Sequence, residues 1–156
     1  MSDTFKCSLQ EILEAMVAVC LEFIGDRAQV VYLHCSTEQG VSSANVFYDI
    51  NGALCRTHEL NLPEAGTGTT EAGTSDARLS SLLESLLDDL DRLIELHENN
   101  GQEPPTEVKL RYDVVRMSLS ASYSYDLKFS NSDTLLPSDI FDAWHEEVKS
   151  QRPRAD

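Results

Sequence analysis

Apolar residues recur at three-and-four spacing along two long stretches of the chain and cluster or alternate along several shorter ones. Phe5, Leu9, Ile12, Met16, Val19, Cys20 and Phe23 share one side of a helix, because residues three and four apart lie on one face. Ser8-Leu9-Gln10-Glu11 fits the S-x-x-E capping box, placing the helix start there or a few residues earlier. Gly25 stops it, since glycine accepts the left-handed conformation at a helix end. A second helix is signalled more strongly. Leu79, Leu82, Leu83, Leu86, Leu87, Leu90, Leu93, Ile94 and Leu96 keep a broad apolar face over about five turns. Asn99-Asn100-Gly101 caps its end, and Pro104-Pro105 prevent continuation. Ile140, Phe141, Trp144 and Val148 give a short last helix its apolar side, with Pro137-Ser138 at its start.

Between these helices the period changes to that of strands. Residues 29–35 form a β-branched and aromatic run, and 44–50 follow after a turn of Gly40 and serines. Asn51-Gly52 is a two-residue hairpin signal, because both turn positions need positive φ, and it leads into 53–60. These three runs read as an antiparallel meander. Two more, 108–115 and 117–129, follow the second helix and turn near Val114-Val115-Arg116. The order α-β-β-β-α-β-β-α predicts an α+β fold, a largely antiparallel sheet of about five strands with helices covering one face. A single domain is expected over 1–150, with a frayed tail at 151–156. Residues 63–75, rich in glycine, threonine and alanine, read as a flexible loop.

Composition narrows what such a domain can do. Twelve Lys and Arg stand against 27 Asp and Glu in 156 residues, a net charge of −15. Direct nucleic-acid binding needs clustered Lys and Arg, and an anionic membrane surface would repel this chain. A strong negative field instead favours encounter with a basic protein. Cys7, Cys20, Cys35 and Cys55 form no CxxC or metal-ligand spacing, and three of them sit among apolar neighbours as small core residues do. No secretory signal opens the chain and no run approaches the length of a membrane span, so a reduced, soluble, cytoplasmic protein is expected.

Candidate chemistry is sparse. His34, His58, His97 and His145 each fall in a different element, without HxxE, HExxH or HxH spacing, so no metal site is expected. His34 adjoins Cys35, but neighbours on a strand point to opposite faces and are poorly placed to pair. There is no GxSxG, and Gly66, Gly68 and Gly73 lack the Lys-Ser/Thr pair of a phosphate loop. Asp88, Asp89 and Asp91 lack the loop that would complete an oxygen-ligand shell. No catalytic residue and no cofactor are expected. What remains is surface: the second helix carries Glu84, Asp88, Asp89, Asp91, Glu95 and Glu98 opposite its leucines, relieved only by Arg78 and Arg92. Tyr123 and Tyr125, two apart, put both rings on one sheet face with Asp126 on the other.

In these features the chain resembles the YezG-like immunity proteins, bacterial antitoxins paired with polymorphic and LXG-type toxins. Val31-Tyr32-Leu33 and Val46-Phe47-Tyr48 look like the first two strands of that family, and the acidic leucine helix ends in Asn-Asn-Gly-Gln-Glu-Pro, similar to its helix exit. Tyr123-Ser124-Tyr125-Asp126 and Trp144 look like its aromatic-acidic strand and closing tryptophan. The family often has Pro-Trp where this chain has Pro104-Pro105, and its last hairpin usually turns on glycine. The resemblance implies a non-enzymatic inhibitor that binds the catalytic domain of a cognate toxin, often a nuclease with a basic C-terminal domain. The contact surface expected here is Asp88, Asp89, Asp91, Glu95 and Glu98, with Tyr123, Tyr125 and Asp126 as anchors. The same element order, small size and low pI are similar to class I type III secretion chaperones, which as dimers hold an effector's secretion segment along apolar patches.

Overall fold

The computed structural model describes residues 3–38, 40–57, 72–127 and 137–151. The elements are α1 (Asp3–Ile24) with a 3-10 turn at Gly25–Arg27, β1 (Val30–Glu38), β2 (Val41–Ile50), β3 (Ala53–Arg56), α2 (Ala72–Asn99), β4 (Glu107–Asp113), β5 (Ser118–Ser124) and α3 (Pro137–Gln151). The order is the predicted α-β-β-β-α-β-β-α. All five strands join one antiparallel sheet in the spatial order β3-β2-β1-β4-β5. The meander β1-β2-β3 is present, and Asn51 and Gly52 both take positive φ, 53° and 90°, as the tight turn demands. β4 pairs on the other side of β1, so β1 is the central strand.

Strand β1 explains the layering. Val30, Val31, Tyr32, Leu33, His34 and Cys35 are all buried, so this strand needs cover on both faces. Val31, Leu33 and Cys35 join Ala44, Val46 and Tyr48 of β2 and Val108 and Leu110 of β4 beneath α1 and α2. Val30 and Tyr32 join Phe47 beneath Phe141, Trp144 and Val148 of α3 on the opposite face. This corrects the expectation that the helices share one face. An unbroken apolar run in the middle of a sheet cannot leave either side in water. The α3 face is aromatic: Tyr32 stacks on Phe47 at 4.6 Å, and Trp144 lies edge-on to Phe47 at 5.3 Å. At the β3 edge, Arg56 anchors α3 by donating to Asp142 at 2.6 Å.

Several boundaries move. Ser8 lies inside α1 rather than capping it, because the apolar stripe continues back to the buried Phe5, which meets the His97 ring edge-on at 5.1 Å. β2 begins at Val41, taking Ser42 and Ser43 out of the expected turn and into the strand. β3 is short, its expected continuation through 58–60 lying outside the described residues. Most of the 63–75 loop also lies outside them, but α2 has begun by Ala72. The end of α2 is a Schellman motif: Gln102 N–H donates to His97 O at 2.8 Å and Gly101 N–H to Glu98 O at 3.2 Å, with Gly101 at φ 66°. β4 and β5 turn through 114–117, where expected, and Met117 takes the left-handed position, φ 54°, in place of a glycine.

Candidate functional site

The leucines of α2 decide which of its acids face outward. Leu82, Leu86, Leu90 and Leu93 are buried against α1 and the sheet. On the far side, Glu84, Asp88, Asp91, Glu95 and Glu98 follow alternating steps of four and three, which places them in one stripe, and all five are exposed. Asp89 is the exception among the expected contact residues. One residue on from Asp88 it turns about 100° around the helix, is only 8% exposed, and accepts a hydrogen bond from Arg92 at 2.8 Å. Its charge reaches inward: burial first, and Asp89 second, push the Cys35 thiol up to about 12. Asp89 therefore belongs to the packed side of α2.

At its C-terminal end the stripe borders a cleft of about 440 Å³ lined by Asp91, Ile94, Glu98, Pro104, Pro105, Thr37, Gly40 and Ser42. Apolar surface from Ile94 and the prolines lines it together with the acidic residues Asp91 and Glu98. That combination accommodates an arginine or lysine side chain, whose methylene stem packs on apolar atoms while its charged head seeks carboxylates. Pro104 and Pro105, which prevent continuation of the helix, also form part of the wall of this cleft.

Tyr123 and Tyr125 lie at the far edge of the sheet, Tyr123 at the end of β5 and Tyr125 just beyond it. Their surroundings are half-open, and partial burial followed by the neighbouring Tyr125 raises the Tyr123 phenol above its ordinary value. Thr106 ties down this end of β5, its hydroxyl donating to Asp126 O at 2.6 Å and lying 3.1 Å from Ser124 O. α2 packs chiefly on α1 and β2, whereas β5 packs chiefly on β4, and α1 lies between them above the sheet. The acidic stripe and the tyrosines thus form two patches rather than one.

The chemically versatile residues are mostly inside. His34 and Glu107 pair at 2.9 Å on the α3 face, both buried, and among the described residues His34 Nδ1 has no hydrogen-bond partner. Cys35 points to the opposite face, as adjacency on a strand requires. His97 Nδ1 lies 2.7 Å from Leu93 O, and His145 Nδ1 lies 3.3 Å from an Arg56 guanidinium nitrogen. His58 lies outside the described residues. Cys20 and Cys35 are buried and their thiols pushed upward by desolvation, Cys55 is half-buried and Cys7 exposed. Among the described residues no group of three His, Cys, Asp or Glu could hold a metal ion, and no helix is long and apolar enough to cross a membrane. No protein-family model matches the chain, and no curated protein matches it significantly.

Proposed function

We propose that the protein is a non-enzymatic immunity protein: it binds the catalytic domain of a secreted bacterial toxin and blocks it through an acidic surface. The observation that carries this reading is the stripe Glu84-Asp88-Asp91-Glu95-Glu98 ending at the cleft between Asp91 and Glu98. An enzyme that acts on nucleic acid must be basic around its site to hold phosphate, and a stripe of carboxylates at helical spacing occupies such a surface as a polyanion would. The net charge of −15 accelerates the encounter, and the cleft gives one basic side chain a place to seat. Asp89 contributes to the fold of α2 rather than to the contact. The cytoplasm of the toxin-producing cell is where such an inhibitor acts.

A second reading has its own observation. Between α1 and the β4–β5 hairpin lies a groove of about 470 Å³, lined in part by Val17, Ala18, Leu21, Tyr112, Met117 and Leu119. A secretion chaperone would lay an apolar, extended effector segment in such a groove. Affinity capture of the tagged protein from its native cells, with partners identified by mass spectrometry, separates the two. A toxin held through its basic C-terminal domain, and losing activity when this protein is added, is the expected result. A secreted effector held through an extended N-terminal segment would replace the immunity reading with the chaperone.

A further inference from the structure

The outer edge of β5 is unlike a protected sheet edge. Exposed edge strands are usually blunted by charges, prolines or bulges that prevent pairing with another chain. β5 reads Ser118-Leu119-Ser120-Ala121-Ser122-Tyr123-Ser124, with neither charge nor proline, and among the described residues its one neighbour in the sheet is β4. The sequence is also self-complementary about its middle. Laid antiparallel on a copy of itself with Ala121 opposite Ala121, it sets Ser120 against Ser122, Leu119 against Tyr123 and Ser118 against Ser124. Beyond the strand the same count brings the turn residues Val115, Arg116 and Met117 to the end where Tyr125, Asp126 and Leu127 of the copy follow its β5. Exposure is concentrated on β5 and the residues that flank it. Val115 (78%), Met117 (79%), Tyr123 (36%), Tyr125 (51%) and Leu127 (42%) make up all but one of the exposed large apolar residues among those described.

We propose that the protein forms a two-fold symmetric dimer in which β5 pairs antiparallel with β5 of a second copy about an axis at Ala121, joining the two sheets. A two-fold interface must be self-complementary, residue i meeting j while j meets i, and this edge meets that requirement in shape, polarity and charge. The faces sort correctly. Leu119, Ala121 and Tyr123 lie opposite Tyr112, Leu110 and Val108 of β4, so they stand on the α1 side of the sheet. Tyr123 of the second copy then meets Leu119 at the open side of the α1–β5 groove. Ser118, Ser120, Ser122 and Ser124 meet serines on the α3 side, where small hydroxyls pair without crowding. Arg116, 4.0 Å from Asp113 in the turn and with its side chain 83% exposed, comes within reach of Asp126 of the second copy. This surface is distinct from the acidic stripe on α2, and the inference does not rest on the immunity reading.

Analytical ultracentrifugation of the full chain over a wide concentration range tests it. A monomer–dimer equilibrium is expected, tightening as salt rises from about 50 to 500 mM, because screening relieves the repulsion between two chains of net charge −15. Ala121→Glu places two carboxylates across the axis and should weaken the dimer by about tenfold or more, with unchanged far-UV circular dichroism. Arg116→Asp and Asp126→Arg should each weaken it, and the double exchange should restore it, a recovery that requires the two residues to meet across the axis. A monomer at every concentration, a dimer indifferent to Ala121→Glu, or a double exchange that restores nothing would each overturn the proposal.

Discussion

β1 and β5 flank the same strand, β4, and both pair with it antiparallel through seven residue pairs. Their ladders are equivalent, yet their environments are opposite. Along β1 only Thr37 is not buried, whereas no residue of β5 is buried. Hydrogen-bonded pairing therefore does not make a strand part of the core; cover on the two faces does. β1 has α1 and α2 above it and α3 below. Among the described residues β5 has only the rim of α1 on one side, and its serines are not buried on the other. The molecule is built from the centre outward, with stability concentrated at β1 and exposed, uncharged surface at β5.

This contrast can be broken by mutation. Leu33→Ala, at a fully buried site, should cost about 2–5 kcal/mol in urea unfolding, while Leu119→Ala on β5 should cost less than about 1 kcal/mol. Equal losses would refute the asymmetry. Alkaline pH should strike the β1 side next. Burial holds the Cys35 thiol protonated, its pKa raised from 9.0 to about 12, and raises Cys20 in the same way. Unfolded thiols lose their protons first, so this contribution is complete below about pH 9. It falls by up to about 1.4 kcal/mol per pH unit for each thiol as pH rises toward the folded values. Chemical denaturation midpoints between pH 8 and about 11 would show the decline, and substituting both thiols by alanine should make it shallower, the buried Tyr48 hydroxyl, also pushed up by burial, keeping a residual decline above about pH 10. A flat profile for the unmodified protein would mean that neither thiol is shielded.

Smaller effects sharpen the same picture. Glu107→Ala removes the partner of a fully buried imidazole and should cost about 1–3 kcal/mol, with Glu107→Gln milder because its amide oxygen still accepts. If the two variants were equally destabilised, the His34 contact would not be a stabilising hydrogen bond. Smallest of all, Ser120→Thr on exposed β5 should shift monomer stability by less than about 0.5 kcal/mol in the same titration.

Much of this was legible in the chain, for identifiable reasons. The Asn51-Gly52 turn and the α2 leucine face are local signals: a pair of positive-φ positions and a sustained helical period. The start of α1 was legible in part: the apolar stripe already includes Phe5 and allows a start before Ser8, and the capping box at Ser8 competes with it until tertiary contact with His97 prevails. The cover of both sheet faces was implicit in the unbroken run Val30 to Cys35, which does not alternate as a half-exposed strand would. Asp89 shows how finely a helix sorts its charges. The spacing 84, 88, 91, 95, 98 excludes it from the stripe, but a list of neighbouring acids does not reveal this. The self-complementarity of 115–127 is present in the sequence, yet it acquires meaning only when β5 proves to be the sheet's edge. Edge position is a property of topology, which no local pattern encodes.

The most direct test of the functional account is the association rate of the captured toxin domain, measured by surface plasmon resonance at about 50 and 500 mM salt. It should be run with the unmodified protein and with the Asp91→Lys, Glu95→Lys double variant. We expect the rate to fall about tenfold or more with added salt, and by a comparable factor in the variant at low salt, the variant itself showing little further salt dependence. An association rate unchanged by both salt and charge reversal would contradict recognition through the acidic stripe.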